Sequence, residues 1–317
     1  MKTAQVNPIL ILFFKHLHRA FRFLNRLHMR IKNNFYPTSY PLPTGDSFRS
    51  LANHIYEKEG DINPEKIQPG DIVFSSNEKT KEFLEKINPH IKSPYILISH
   101  NGDLDMDQSI VDLLDEKIVR FYAQDSTFTN PKVVPIPIGI ENLRLYTNGI
   151  PWALRFFTKK AKQMNPNHKK NKILYRFSIQ TNPKHRAPLL EFFKKLNITE
   201  TFTEMLPPIL HLNKLMGYKF VASPRGNSIE SCRTWEALYL KTIPMVENFH
   251  ALTYFKSLGL PMYLTHDWKE LEKLTEDDLS QMYFNIMKDA DFSALHMDFW
   301  INMIQKDQEI ARKIQVK

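Results

Sequence analysis

Large apolar residues recur every three or four positions near the start of the chain, which is the spacing of one face of an α-helix. These residues are Phe14, Leu17, Phe21, Leu24, Leu27 and Ile31. The positions between them are rich in basic side chains, namely Lys15, His16, His18, Arg19, Arg22, Arg26 and Arg30. Pro8 suits the first turn of a helix, and Pro37 marks its end. The pattern predicts a basic amphipathic helix over residues 8–32.

Beyond this helix, short apolar runs alternate with segments of helical periodicity. In the first half, the pattern predicts helices at 47–58, 78–87 and 107–115 and strands at 71–75, 95–99, 119–123 and 132–138. In the second half, it predicts strands at 173–177, 220–223, 243–246 and 262–265, helices at 186–196, 208–216 and 229–240, and helical structure from 268 onwards. Such alternation is typical of parallel sheets with crossover helices. We therefore expect two α/β halves separated by a cleft, with ligands at the carboxyl ends of the strands.

Residues 141–172 interrupt this alternation of helices and strands. The interrupting segment ends in the polar, basic stretch 159–172. We interpret this break as the connection between two domains, since domains of about 100–200 residues are usual. The predicted divisions are a basic arm at 1–45, a first α/β domain at 46–145, a connection at 146–172, a second α/β domain at 173–275 and C-terminal helices at 276–317.

The charge of the chain is concentrated in the arm. The whole sequence has 43 Lys and Arg against 34 Asp and Glu, whereas residues 1–45 carry seven basic residues and no acidic one. The rest of the chain is almost neutral, which excludes a nucleic-acid-binding protein with basic charge spread through its fold. The single cysteine, Cys232, excludes a disulfide framework and a Cys-rich metal site, and it fits a reducing, cytoplasmic compartment.

The basic amphipathic arm has three interpretations. It suits the headgroup layer of an anionic membrane, where each Lys or Arg gains about 1 kcal/mol. Alternatively, its apolar stripe packs on the body of the protein or on a second subunit, and RNA binding is a third possibility. The longest uninterrupted apolar run, 9–14, is far shorter than the roughly 20 residues that span a bilayer. The membrane interpretation therefore predicts a peripheral protein.

Residues 220–238 carry the main candidate for binding chemistry. A predicted strand ends in the turn Pro224-Arg225-Gly226, and a helix follows. Asn227 stands three residues before Glu230, which is the spacing of a helix N-cap pair. Gly226 lets the backbone approach a ligand closely, and the start of a helix offers free N–H groups to an anion.

Two arginines and a glutamate strengthen this interpretation. Arg225 lies in the turn and Arg233 lies further along the predicted helix, and guanidinium groups suit phosphate well. Glu236 follows Arg233 by three residues, so its carboxylate is placed to accept hydrogen bonds from a ribose diol. The alternative is a capped helix on which Arg233 and Glu236 form a surface pair of little energetic value.

The run SPRGNSIESCRTWEALYLKTIPMV at 223–246 resembles the donor-binding core of exostosin-like glycosyltransferases. That family shows a Pro-Arg-Gly turn, an acidic residue, an arginine, Trp-Glu-Ala-Leu and an Ile-Pro strand. Weaker similarity occurs at 95–103, 136–141 and 177–186, in the expected order. The resemblance implies the GT-B fold class: two Rossmann-like domains, acceptor side first and nucleotide-sugar side second, and inversion at the anomeric carbon.

The resemblance also implies roles for individual residues, which line the donor site in the second domain. It places Arg233 at the phosphates and Glu236 at the ribose, with Arg186 as a further phosphate candidate. The turn around the donor diphosphate would be formed by Arg225, Gly226, Asn227 and Ser228. One departure is the pair Ser231-Cys232, which stands where relatives often have Thr-His and leaves sugar-specific contacts open.

Inverting transfer needs a base that takes the proton of the acceptor hydroxyl and positive groups that receive the diphosphate. Asp103 is the leading candidate for the base, followed by Asp105 and His100, because all three follow the predicted strand at 95–99. The alternative is that Asp103 caps the helix near Asp107. The arginines meet the second need, and the second half has no Asp-x-Asp site at a strand end, so we predict no dedicated metal.

The sequence thus predicts an inverting glycosyltransferase that uses a nucleotide sugar as co-substrate and no other cofactor. The family resemblance favours UDP-sugars and leaves GDP-sugars open. The expected acceptor is a glycan or a lipid-linked molecule, in surface polysaccharide or glycolipid synthesis. The alternative function is a non-catalytic adaptor, whose arm binds membrane or RNA and whose α/β body binds a nucleotide.

Overall fold

The computed structural model describes residues 6–147 and 149–314. The predicted N-terminal helix is present as α1 (Pro8–Ile31). A five-stranded parallel sheet follows, in the order β1 (His54–Tyr56), β2 (Ile72–Ser76), β3 (Tyr95–His100), β4 (Ile118–Ala123) and β5 (Val133–Pro135). Its strands therefore pair in the order in which they occur along the chain.

Helices cover the first sheet on both faces. Its own helices are α2 (Gly45–Arg49), α3 (Asn77–Lys86) and α4 (Gln108–Val111), and α3 and α4 pack with alternate strand residues such as Val73 and Leu97. The opposite set, which includes Ile96 and Ile98, packs with α2 and with the C-terminal helix α11 (Met297–Lys313). Because both faces are buried, these strands read as continuous apolar runs.

The second sheet is also parallel and has five strands. They are β6 (Lys170–Tyr175), β7 (Thr199–Glu200), β8 (Tyr218–Ala222), β9 (Ile243–Glu247) and β10 (Tyr263–Thr265), and the sheet order is β7-β6-β8-β9-β10. The order reverses between β6 and β8, and such a reversal opens a crevice at the carboxyl ends of the strands.

The helices of the second half are α5 (Pro151–Gln163), α6 (Pro183–Lys195), α7 (Pro208–Met216), α8 (Cys232–Tyr239), α9 (His250–Ser257) and α10 (Glu276–Lys288). Loops of the two halves face each other, since the side chain of Asp105 contacts that of Arg225 at 2.7 Å. The predicted α/β class is confirmed, and the two parallel five-stranded sheets with their helices are consistent with a two-domain GT-B fold.

Two predicted helices are wrong in part. The helix predicted at 47–58 ends at Arg49, because Asn53 joins the sheet: its N–H donates to the Ile72 carbonyl, and its side chain accepts from the Ile72 N–H, both at 2.9 Å. The helix predicted at 229–240 begins only at Cys232, without a side-chain cap. Asn227 does not cap it, because its amide donates to Asp103 across the cleft at 3.0 Å.

Smaller differences concern segment lengths. The helix predicted at 107–115 is a single turn, α4, and the stretch predicted as a connection at 146–172 contains the 13-residue helix α5. Periodicity did not reveal the two-residue strand β7 or helix α9.

One face of α1 packs on the body. The Phe21 ring lies 5.5 Å from that of Trp152, and the Asn25 amide donates to the Leu143 carbonyl at 2.9 Å. His18 Nε2 lies 3.0 Å from the carbonyl oxygen of Thr147. Another face leaves apolar side chains exposed, namely Ile9, Leu10, Leu12, Phe13, Phe23, Leu24, Leu27 and Ile31. Within 6–147 and 149–314, no helix is long and apolar enough to cross a membrane.

Candidate functional site

The Pro-Arg-Gly turn lies where the strand order of the second sheet reverses. β8 ends at Ala222 immediately before it, and Arg186 of α6 holds it in place. The Arg186 guanidinium donates to the carbonyls of Pro224 at 2.7 Å and Arg225 at 2.8 Å, and on the β6 side to the Ser178 carbonyl at 2.9 Å. Most of its donors are thus engaged by backbone oxygens, so Arg186 positions the turn rather than presenting its fork to a phosphate.

Three guanidinium groups lie close together near this turn, those of Arg186, Arg233 and Arg176. Burial and the charge of Arg233 lower the pKa of Arg186 to about 10. Burial also lowers the pKa of Arg233, and the nearby Arg176 adds to that effect while Glu236 opposes it. The Nε of Arg233 is buried and has no hydrogen-bond partner among the described residues. A cluster with this excess of positive charge is suited to an anionic ligand such as a diphosphate.

Arg176 was missed by the sequence analysis. It is the first residue after β6, and its guanidinium lies 5.6 Å from the centroid of the Phe202 ring. The signal that would have found it is its place in the last two residues of the strand predicted at 173–177, because the ends of neighbouring parallel strands meet at one edge of the sheet.

Glu236 lies one turn after Arg233 on α8, and the residue as a whole is 7% exposed. Burial raises its pKa to about 7, Arg233 opposes this shift and Glu141 adds to it. A carboxyl group of this kind is balanced between its two protonation states near neutral pH. The pair Arg233 and Glu236 is therefore part of the interior of the cleft and not a solvated pair on a helix surface.

The loop after β3 crosses the cleft to the Pro-Arg-Gly turn. Asp105 Oδ2 accepts from Arg225 at 2.7 Å, and Asp103 accepts from Asn227 at 3.0 Å and from Ser228 at 3.3 Å. The structure thus brings Asp103 and Asp105 together with three of the predicted donor-side residues. Arg225 is thus paired with a carboxylate of the first half.

A cavity of about 300 Å³ lies at the carboxyl ends of the first sheet. Its polar lining includes the guanidinium of Arg144, which is paired with Asp46 at 2.9 Å, and the Cys232 side of α8. The other polar side chains of the lining are mostly carboxyl and amide groups: Glu78, Asn101, Asp103, Gln124, Glu141 and Asn142. The Glu141 carboxylate accepts from the N–H groups of Thr147 at 2.6 Å and Gly149 at 2.9 Å. A lining of acceptors and amides suits a ligand that carries several hydroxyl groups.

His100 also lines this cavity, but both of its ring nitrogens are engaged. Nδ1 accepts from the Asn101 N–H at 2.6 Å, so Nε2 carries the proton and donates to the Pro137 carbonyl at 3.0 Å. Burial lowers the pKa of His100 to about 4. This neutral imidazole has no free nitrogen for an acceptor hydroxyl, which leaves the two aspartates as base candidates.

Two buried acids, Asp125 and Glu230, lie between the halves. Asp125 follows β4, and burial raises its pKa to about 7, with a contribution from Asp105. Burial and the charge of Asp125 raise the pKa of Glu230 well above the usual carboxyl value. The hydrogen bond that Glu230 accepts from Trp235 Nε1 at 2.7 Å opposes this shift. We interpret this pair as structural, because it ties the start of α8 to the first domain.

The described part of the chain contains no cluster of three or more His, Cys, Asp or Glu side chains arranged to hold a metal ion.

No protein-family model matches this chain, and no curated protein matches it. The resemblance to exostosin-like glycosyltransferases thus stays a prediction from the sequence. Among solved structures, the chain is similar to the spinosyn rhamnosyltransferase SpnG complexed with thymidine diphosphate. The TM-score is 0.34 and the identity is 10%, over 75% of this chain and 69% of that chain.

Proposed function

We propose that the protein is an inverting glycosyltransferase, which moves a sugar from a nucleotide-sugar donor to a hydroxyl group of a glycan or lipid-linked acceptor. The observation that carries this proposal is the juxtaposition across one cleft of an arginine cluster and an acid- and amide-lined cavity. The cluster lies at the strand-order reversal of the second sheet, and Asp103 lies between it and the cavity.

The donor would bind to the second domain. In this proposal Arg233 and Arg176 hold the diphosphate, together with Arg225, Gly226, Asn227 and Ser228 of the turn. Glu236 accepts hydrogen bonds from the ribose hydroxyls. Arg186 acts through the turn that it holds. UDP-sugars remain the preferred donors, on the sequence resemblance.

The reaction would occur beside Asp103. The Asp103 carboxylate takes the proton of an acceptor hydroxyl in the cavity, and that oxygen attacks the anomeric carbon opposite the diphosphate. The bond from this carbon to the diphosphate oxygen breaks, the electron pair leaves with the diphosphate, and the arginines receive its charge. Because the arginines supply that charge, the proposal needs no dedicated metal.

Helix α1 would hold the enzyme on the cytoplasmic side of an anionic membrane. The body-packing alternative accounts for only one of its faces, since a second face exposes Ile9 at 75% and Ile31 at 72%. Lys15, Arg19 and Arg26 are exposed on the same helix. An apolar face beside basic residues is typical of helices that lie in the headgroup layer. Deleting residues 1–32 should weaken sedimentation with anionic vesicles and leave donor affinity unchanged.

The donor site is tested by thermal shift with UDP, GDP and TDP. A nucleotide that binds only the folded state stabilises it and so raises Tm. At a nucleotide concentration of a hundred times Kd, the stabilisation is about 2.7 kcal/mol. We expect UDP to do so in the wild type and in the control Arg312→Ala, whose side chain is exposed on α11. Arg233→Ala and Glu236→Ala should lose the shift. If both variants keep the wild-type shift, the donor-site assignment is wrong.

Catalysis is tested separately, by nucleotide release from UDP-sugars in the presence of membranes. Asp103→Asn should keep the UDP-dependent shift and lose turnover. A chain that binds UDP but releases none from any UDP- or GDP-sugar would instead be the non-catalytic adaptor.

A further inference from the structure

Helix α5 exposes two large aromatic side chains that no part of the proposed reaction uses. Trp152 is 45% exposed and Phe156 is 62% exposed, and they lie one turn apart on the same face. The opposite face packs in the core through Ala153, Leu154 and Phe157. Neither ring belongs to that core face, although Trp152 Nε1 donates to the Tyr146 hydroxyl at 2.9 Å.

These aromatic residues lie beside α1, because the ring of Trp152 is 5.5 Å from that of Phe21. The exposed apolar side chains of these two helices are here called the docking surface: Trp152 and Phe156 of α5 with Ile9, Phe13, Leu24, Leu27 and Ile31 of α1. Apolar patches that are large and contiguous mark a site of interaction with another protein or with a membrane.

Charge favours an anionic bilayer over a second protein as the occupant. No Asp or Glu occurs before residue 46, nor between Glu141 and Glu191, so both helices are free of acidic residues. Lys159 and Lys160 of α5 are exposed, as are four basic residues of α1: Lys15, Arg19, Arg26 and Arg30. Each gains about 1 kcal/mol next to anionic lipid, which adds to the burial of the aromatic rings.

The docking surface is also joined to the wall of the acceptor cavity. Asn25 contacts Leu143 and His18 contacts Thr147, so α1 holds both ends of a short segment. Leu145, in the middle of that segment, lines the cavity and is 42% exposed. Leu145, at the rim of the cavity, therefore lies between the two residues, Leu143 and Thr147, that α1 contacts.

We propose that α1, α5 and Leu145 form one bilayer-docking surface, which places the rim of the acceptor cavity against the lipid. The acceptor would then be a lipid-anchored molecule that enters from the plane of the membrane, not a free glycan. This inference rests on the proposed function for the identity of the cavity as the acceptor site. The docking itself does not depend on it.

Tryptophan fluorescence tests the docking directly, because Trp152 differs from the other three tryptophans. Trp235 and Trp300 are 0% exposed and Trp268 is 6% exposed. Vesicles of phosphatidylglycerol with brominated phosphatidylcholine should therefore quench Trp152 selectively. Trp152→Phe should lose the quenching and still sediment with the vesicles. Absence of quenching in wild-type protein that does sediment would overturn the role of α5.

Charge variants test the energetic role of the same surface. Phe156→Glu should weaken sedimentation with anionic vesicles roughly tenfold, since it removes an apolar ring and adds a repelled charge. Phe284→Glu is the matched control, because Phe284 is 43% exposed on α10 in the second domain. Equal sedimentation of the two variants would contradict the proposal. So would a lipid-free dimer that Phe156→Glu dissociates, because a second copy would then be the occupant.

The cavity rim is tested with a polarity-sensitive fluorophore on Leu145→Cys, in a Cys232→Ser background. Anionic vesicles should shift its emission to the blue, and an unchanged spectrum would overturn the lipid-anchored acceptor. The UDP-dependent Tm shift is measured in the same samples. If docking is intact and the Tm shift is absent, the result counts against the proposed function alone. If the Tm shift is present and docking is absent, the result counts against this inference alone.

Discussion

The buried carboxyl group of Glu236 leads to a prediction about stability and pH. Burial raises the pKa of Glu236 from 4.5 to about 7, so the folded state disfavours the ionised form. The contribution of this group to the free energy of unfolding is therefore greatest below pH 4.5. It falls as pH rises from there through 7 and is constant above. The shift corresponds to about 3 kcal/mol.

Glu236→Gln has nearly the same shape and carries no charge. We expect its free energy of unfolding to equal that of the wild type near pH 4.5 and to exceed it by up to about 3 kcal/mol at pH 8. Asp125 and Glu230 also have raised pKa values, but they are present in both proteins and cancel in the difference. At the same time, UDP affinity should fall, since an amide is a weaker acceptor for the ribose hydroxyls.

The measurement is urea unfolding of both proteins at pH 5, 6, 7 and 8, with UDP binding by calorimetry at pH 7.5. The control is Glu191→Gln, whose carboxylate is exposed on α6 and should give parallel profiles. A stability difference between Glu236→Gln and wild type that does not change with pH would refute the reasoning. The ionised carboxylate would then carry no penalty in the fold.

Three further predictions follow from hydrogen-bonded side chains. Arg186→Ala removes the donors to the Pro224 and Arg225 carbonyls, so we expect the free energy of urea unfolding to fall by about 3–5 kcal/mol. Arg186→Lys cannot replace the guanidinium fork, so UDP affinity should fall in this variant. Asp105→Asn releases Arg225 from its 2.7 Å pair, so calorimetry should show UDP binding up to about tenfold tighter, and unchanged affinity would mean that the pair does not compete with the diphosphate. Lys169→Met leaves buried carbonyl groups, including that of Leu240 at 3.0 Å from Nζ, without their donor, and thermal unfolding should show a loss of about 2–4 kcal/mol.

Elements whose sequence pattern matches their burial were predictable. The second-half helix at 208–216 and the strands near 95–99 and 243–246 were located within one or two residues, because strands buried on both faces are continuous apolar runs. Elements fixed by distant contacts were not. The start of α8 shifts to Cys232 because the side chains of Asn227 and Glu230, which look like a cap pair, are taken by Asp103 and Trp235.

The same distinction applies to the candidate site. The motif in the second half located Arg225, Arg233 and Glu236 in one segment, since they are neighbours along the chain. Arg176 joins them from a strand almost fifty residues earlier, and only the sheet order brings it there. The pairing of Asp105 with Arg225 depends on how the two halves meet, which no local pattern encodes.

Helix α11 has a consequence for the order in which the protein is made. It lies across the first sheet, where Asp307 accepts from Tyr122 at 2.6 Å and Gln308 donates to the Gly70 carbonyl at 2.8 Å. The five strands of that sheet are synthesised by residue 135, yet the part of one face that α11 covers, beside α2, stays exposed until residues 297–313 emerge. At roughly 5–20 residues per second, this wait lasts about ten seconds or more, during which the nascent first domain offers an apolar face to chaperones. A chain that ends before Met297 would keep that part of the face exposed.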